Sequence, residues 1–77
     1  MNLNDFIENL IDLFDDTDAE LITAETRFKE LEEWSSLLAL SVIAMVNEEY
    51  DTELKGDDIR RSDTVQDLFN VVESKQR

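Results

Sequence analysis

Residues 33–51 read EWSSLLALSVIAMVNEEYD, and this stretch decides the fold. After its two serines it contains no Gly and no Pro, which favours one uninterrupted helix. Ser35 is a good N-cap residue, so the pattern predicts a helix that begins at Ser36 and ends near Tyr50. The Ser36 hydroxyl would then lie at a helix N-terminus, where backbone N–H groups and the helix dipole favour a phosphate.

This predicted helix has two different faces. One carries the stripe that we expect to face the core, formed by Val42, Ile43, Val46 and Tyr50. The other is expected to carry Ser36, Leu37, Leu40, Ser41, Ala44, Asn47 and Glu48. Apolar residues beside Ser36 indicate either a docking surface or a helix buried over more than half of its circumference.

Helical spacing also marks both ends of the chain. From Leu3 to Phe14, apolar residues recur at intervals of three and four, which predicts an amphipathic first helix. Residues 63–66 resemble a capping box with Asp63 as the N-cap and Gln66 as its partner. The last helix is expected to fray from Glu73 onward and to bury Val65, Leu68, Phe69 and Val72.

Two connections join these helices. Residues 16–35 form a long one that Phe28 and Leu31 are expected to pin to the core. Its acidic start resembles a calcium loop poorly, since Leu21 and Arg27 occupy the positions of the required Gly and final acid. In the second connection, Gly56 predicts a turn, followed by a short helical turn that points Ile59 inward. The whole is an all-α, three-to-four-helix bundle, a single domain over residues 1–77.

Composition excludes several functions. Twenty acidic residues against seven basic ones give a charge of −13, which disfavours nucleic acid and anionic membranes and favours basic protein partners. With neither Cys nor His, the chain lacks the commonest nucleophilic pairs and metal ligands, so we expect neither an enzyme nor a metal site. It shows no apolar run of membrane-span length and no signal-peptide pattern, so a cytoplasmic location is expected.

Taken together, the layout resembles the acyl carrier proteins, and more broadly the phosphopantetheine-dependent carrier domains, over nearly the whole chain. In that family an Asp-Ser-Leu triplet opens the second helix, and an aromatic-Asp pair follows fourteen and fifteen residues after the serine. Here Ser35-Ser36-Leu37 and Tyr50-Asp51 stand at that spacing. Thr64-Val65-Gln66 is similar to the family's Thr-Val-Gln, and Phe28 followed by Leu31 resembles its aromatic and leucine before the motif.

The resemblance implies that a phosphopantetheinyl transferase moves the 4′-phosphopantetheine arm of coenzyme A onto Ser36. The arm would carry acyl groups as thioesters, in fatty acid, polyketide or another specialised acyl metabolism, on a monomeric protein that catalyses nothing. Further implied partners are an acyl-loading ligase or acyltransferase and a ketosynthase or other acyl-transferring enzyme. The implied docking surface consists of Ser35, Leu37, Leu40, Ser41, Ala44, Asn47 and Glu48.

The chain departs from the family pattern at several positions. Ser35 replaces the aspartate of the motif, and acids are common in the family where this chain has Leu38, Ser41 and Asn47. Docking should therefore be more apolar, and Trp34 either contributes to it or anchors the loop. Two alternatives remain open: an aminoacyl or D-alanyl carrier, and an unmodified acidic protein-interaction module.

Overall fold

The computed structural model describes residues 2–76, and within them the chain forms four α-helices and two short 3₁₀ turns. The helices are α1 (Leu3–Ile11), α2 (Ser36–Tyr50), α3 (Gly56–Arg61) and α4 (Val65–Lys75). The expectation of a small all-α bundle is confirmed. Among the described residues, no helix combines the length and the apolar character needed to cross a lipid bilayer.

Helix α1 begins at an asparagine cap and ends earlier than its apolar pattern predicts. The Asn2 side-chain oxygen accepts hydrogen bonds from the backbone N–H groups of Asn4 and Asp5, at 2.7 and 3.3 Å. Beyond Ile11 the backbone changes to tighter bonds, and the Phe14 N–H donates to the Ile11 carbonyl at 3.1 Å. Phe14 is still buried, so the apolar spacing continues into the core although the helix has ended.

Helix α2 has the predicted bounds, but it is rotated about its axis relative to the predicted orientation. Ile43 and Tyr50, expected in the core stripe, are only half-buried. Val42 and Val46 of that stripe are buried, as predicted, and Leu38 and Met45 are buried with them at helical spacing. The helix ends because Asp51 adopts the left-handed conformation, with φ at 50°.

The long first connection is anchored at several points. Phe28 is buried and Leu31 half-buried, as predicted, and Ile22 adds a further buried anchor. The connection also caps α4, because the carbonyl of Thr26 accepts a hydrogen bond from the Val65 N–H at 3.0 Å. Buried side chains and a backbone bond to α4 therefore both anchor the connection before it reaches α2.

Helix α3 begins at Gly56, where the sequence predicted a turn. The φ angle of Gly56 is not positive, so this glycine serves as an ordinary first helical residue. The Asp58 carboxylate accepts a hydrogen bond from the Lys55 backbone N–H at 2.9 Å and so secures the start of the helix. Ile59 is buried, as predicted.

Helix α4 buries the four predicted residues, but its cap lies one residue later than predicted. Thr64, and not Asp63, is the N-cap, and its hydroxyl oxygen accepts from the Asp67 N–H at 3.1 Å. The Asp67 carboxylate accepts in return from the Thr64 N–H at 3.1 Å, so Asp67 has the role predicted for Gln66.

The end of α4 does not fray as predicted, because its last turn is tied to two other elements. The Lys75 ammonium lies 3.1 Å from the Asp58 carboxylate of α3. The Gln76 side-chain amide donates to the Tyr50 carbonyl at the end of α2, at 3.1 Å. The basic tail predicted beyond this point includes Arg77, which lies outside the described residues.

Candidate functional site

The start of α2 assigns separate roles to its two serines. Ser35 is extended, and its hydroxyl oxygen accepts a hydrogen bond from the Leu38 backbone N–H at 3.3 Å. Ser36 is the first helical residue and is exposed. The cap therefore belongs to Ser35, as predicted, and the Ser36 hydroxyl is left to face solvent at the positive end of a fifteen-residue helix.

A strip of exposed side chains runs along α2 from Ser36. Leu37 and Leu40 are 73% and 62% exposed, so they add apolar surface next to Ser36. Ser41 is half-buried, and its hydroxyl donates to the Leu37 carbonyl at 3.2 Å. The remaining predicted docking residues are exposed, namely Ser35, Ala44, Asn47 and Glu48.

One position of the family comparison was assigned to the wrong face. Leu38 stands where acids are common in carrier proteins, but here only 8% of its surface is exposed and it packs in the core. Since Leu38 belongs to the same buried line as Val42, an acid there would be desolvated. The low acidity of the exposed face therefore involves Ser41 and Asn47 only.

An open groove of about 610 Å³ lies beside Ser36. Its walls are formed by Lys29 and Trp34 from the connection, by Ser35, Ser36, Ala39 and Leu40 around the start of α2, and by Gly56, Ile59 and Arg60 from α3. Sequence reasoning missed Lys29 and Arg60 as site residues. No local motif marks them, because only the tertiary fold brings the three segments together.

Trp34 has the anchoring role that was considered for it, and it also borders the groove. Its ring packs edge-on against Phe28, with ring centroids 5.1 Å apart, which anchors the connection. The same side chain lines the groove beside Ser36. A residue needed for folding of the connection therefore also shapes the surroundings of the candidate attachment point.

Two cations border this groove. The Lys29 ammonium donates to the Arg60 carbonyl at 2.9 Å and so joins the connection to α3. The Arg60 guanidinium forms an exposed ion pair with Asp57, one turn earlier on α3. Both positive side chains therefore belong to the part of the groove lining that the connection and α3 form.

A second, smaller groove of about 370 Å³ lies between α1 and α2. It contains three of the predicted docking residues, Ser41, Ala44 and Glu48, together with Leu13, which follows α1. Leu40 lines the first groove. The predicted docking residues therefore do not share one groove: Ser35 and Leu40 line the first, Ser41, Ala44 and Glu48 line the second, and Leu37 and Asn47 line neither.

Glu33 ties the segment just before α2 to the segment just after α1, a role that the sequence did not reveal. Its carboxylate accepts hydrogen bonds from the backbone N–H groups of Asp15 and Asp16, at 2.7 and 3.0 Å, and from the Thr17 hydroxyl at 2.7 Å. The bond from the Asp15 N–H, followed by that from Thr17, lowers the pKa of Glu33 against a smaller opposing effect of burial. The ionised side chain therefore joins both ends of the first connection, two residues before Ser35.

The aromatic-Asp pair closes the other end of α2. The Asn9 side-chain amide donates to the Tyr50 hydroxyl at 2.8 Å, and the Tyr50 ring lies 5.9 Å from that of Phe6. Burial raises the pKa of Tyr50, whereas the hydrogen bond from Asn9 acts in the opposite direction. This end of the helix is therefore occupied by contacts with α1.

Ser36 occupies the first position of α2. It combines an exposed hydroxyl, a helix N-terminus and a neighbouring groove.

Within residues 2–76, no group of three or more Asp or Glu side chains is arranged to hold a metal ion. No family model, curated protein or solved structure matches this chain.

Proposed function

We propose that this protein is an acyl carrier protein that receives a 4′-phosphopantetheine arm on Ser36. The observation that carries the proposal is the division of roles between Ser35, which caps α2, and Ser36, whose hydroxyl is exposed at its first residue. A phosphodiester at this position gains from the N-terminal N–H groups and from the helix dipole.

The chemistry of loading fits the inventory of this chain. The Ser36 oxygen attacks the β-phosphorus of coenzyme A, a new O–P bond forms, and the bond to 3′,5′-ADP breaks. A phosphopantetheinyl transferase supplies magnesium and the base that takes the serine proton, since the chain has no His. The arm supplies the thiol that a cysteine-free chain lacks.

The exposed leucines support docking to separate enzymes. Leu37 and Leu40 flank the attachment point and provide apolar area for a transferase, an acyl-loading ligase or acyltransferase, and a ketosynthase or similar enzyme. Such a carrier works in the cytoplasm, in fatty acid, polyketide or another specialised acyl metabolism, and has no catalytic activity of its own.

The direct test is co-expression with a promiscuous phosphopantetheinyl transferase, followed by intact-mass measurement. We expect a gain of one phosphopantetheine group in the wild type and in Ser35→Ala, and none in Ser36→Ala. A gain that survives Ser36→Ala overturns the assignment of the residue. No gain in any of the three proteins overturns the carrier function.

Two other functions make different predictions. If the carrier is of the aminoacyl or D-alanyl type, the loaded protein accepts an amino acid from an adenylating ligase and not a fatty acyl group. An acidic interaction module is favoured by the groove of about 540 Å³ in the first connection, whose lining includes five carboxylates. That module would stay unmodified and would bind a basic protein with steep salt dependence.

A further inference from the structure

The charges around the groove beside Ser36 differ from those of the rest of the surface. The acidic groove of the first connection includes five carboxylates in its lining, and the groove between α1 and α2 includes three. Among the described residues that line the groove beside Ser36, the charged ones are Lys29 and Arg60, both positive. In a chain with twenty acidic and seven basic residues, the lining of this groove therefore differs in charge from that of the other two grooves.

The two cations have the capacity to receive a further anion. Lys29 uses one N–H in its 2.9 Å bond to the Arg60 carbonyl, and an ammonium group has two more. The Arg60 side chain is 76% exposed, and its partner Asp57 is 71% exposed, so their ion pair is weak and open to exchange. A carboxylate in the groove can therefore be bound without breaking a buried contact.

The rest of the groove suits a short carbon chain. Trp34, Leu40 and Ile59 are apolar residues of its lining, and of these Leu40 is the most exposed. An anion without a carbon chain, such as a phosphate, would bury none of this apolar surface. A ligand with an aliphatic body and a negative end uses both parts of the groove.

We infer that this groove binds the acyl group carried on the Ser36 arm and selects acyl chains that end in a carboxylate. This inference rests on the proposed carrier function. The net charge of −13 disfavours binding of a carboxylate in general, whereas Lys29 and Arg60 favour it in this groove. Arg60 and Lys29 are then specificity-determining residues of the carrier.

The test compares two loaded forms that differ only in the charge of the acyl end. The transferase loads the chain from glutaryl-coenzyme A or from 5-methylhexanoyl-coenzyme A, whose acyl group is the neutral one of matching shape; 3′,5′-ADP leaves in both cases, and intact mass confirms each product. The readouts are the NMR shift of the Trp34 indole N–H and NOEs from acyl methylenes to the Ile59 methyl groups. Both forms carry the same phosphodiester, so any effect of that group is common to them.

We expect the glutaryl form to populate the groove up to about fivefold more than the neutral form, the gain that one exposed ion pair supports. Arg60→Gln should abolish this preference, and Arg61→Gln, an exposed neighbour outside the groove lining, should preserve it. Lys29→Gln should weaken it, and thermal melts of all variants confirm that they are folded.

Two results overturn the inference while the carrier function stands. One is an equal Trp34 shift for the glutaryl and neutral forms of a fully loaded protein. The other is an equal loss of signal from the glutaryl and neutral forms of the Arg60→Gln variant. That result would mean that Arg60 binds the phosphodiester, which both forms share. A chain that gains no mass at Ser36 overturns the carrier function, and this inference with it.

Discussion

The Ser35 hydroxyl accepts the Leu38 backbone N–H at 3.3 Å, and this bond joins the residue before α2 to a residue of the core. We predict that Ser35→Ala lowers the free energy of unfolding by about 1 kcal/mol, since it leaves a helix N-terminal N–H without its cap. In a domain of this size that corresponds to a fall of roughly 4–8 °C in Tm.

Denaturant or thermal melts of three variants check this prediction. Ser35→Asp, which restores the residue typical of the carrier family, should keep the wild-type stability because Asp is also a good N-cap. Ser36→Ala is the matched control and should remain within about 0.5 kcal/mol of the wild type, since Ser36 is exposed and is not the cap. Equal losses from Ser35→Ala and Ser36→Ala would contradict the division of roles.

The bounds of α2 were predictable because every local signal agrees there. Ser35 favours a cap, the following residues favour helix, and Asp51 is a residue type that tolerates the left-handed conformation. Local signals conflict at the start of α4, where Asp63 and Thr64 are both good caps. Asp67 decides between them, because its carboxylate accepts a hydrogen bond from the Thr64 N–H and so completes a capping box with Thr64.

The groove beside Ser36 was not predictable from local pattern. Lys29, Ser36 and Arg60 are distant in sequence, and the 2.9 Å bond from Lys29 to the Arg60 carbonyl depends on the packing of the connection against α3. The orientation of α2 was also set by packing, because this helix is apolar around most of its circumference. Periodicity alone placed Val42 and Val46 in the core but could not decide whether Leu38 and Met45 or Ile43 and Tyr50 are buried with them.

Gly56→Ala should stabilise the protein by about 0.4–1 kcal/mol, because alanine restricts the unfolded chain more than glycine does. A Cβ at residue 56 would meet nothing within 4 Å, and the φ angle is one that alanine adopts. Denaturant melts check the change. The matched control is Asp51→Ala, which places alanine at a φ of 50° and should destabilise the protein. A loss of stability in Gly56→Ala would mean that residue 56 needs the freedom of a turn.

Stability should depend on pH through Glu33. Its pKa is lowered in the folded protein from an ordinary value of 4.5, so the ionised form favours folding. This contribution is fully present above the unfolded-state pKa and is lost as the pH falls through the lower folded-state pKa. The Tm difference between wild type and Glu33→Gln should therefore be largest near neutral pH and shrink at pH values below about 4.

Glu32→Gln is the control for this pH experiment. It removes the same formal charge from an exposed neighbour, so it reports the relief of like-charge repulsion that does not involve the hydrogen bonds of Glu33. A Glu33→Gln profile that runs parallel to that of Glu32→Gln would show that the bonds to the Asp15 and Asp16 N–H groups do not stabilise the fold.

The net charge of −13 should make the protein more stable as salt is added. Like charges repel across a small compact surface, and screening shortens the range of that repulsion to roughly 8 Å near physiological ionic strength. We expect Tm to rise between about 0.02 M and 0.3 M sodium chloride, over which screening strengthens most. Potassium chloride should give the same rise, since screening does not depend on the ion. A flat Tm in both salts would contradict the prediction.

Docking through the leucines of α2 should be largely insensitive to salt. Leu37→Ser and Leu40→Ser remove apolar surface that is already exposed, so their stability should stay within about 0.5 kcal/mol of the wild type. The kcat/KM for loading by the phosphopantetheinyl transferase should fall about tenfold for each variant. As a free energy, a tenfold change is half or more of what the burial of one leucine contributes. Leu21→Ser is the matched control, because Leu21 is 58% exposed but lies in the first connection, in the lining of a different groove. Equal losses from Leu21→Ser, or a loading rate that collapses with added salt, would assign recognition to the acidic surface instead of the α2 strip.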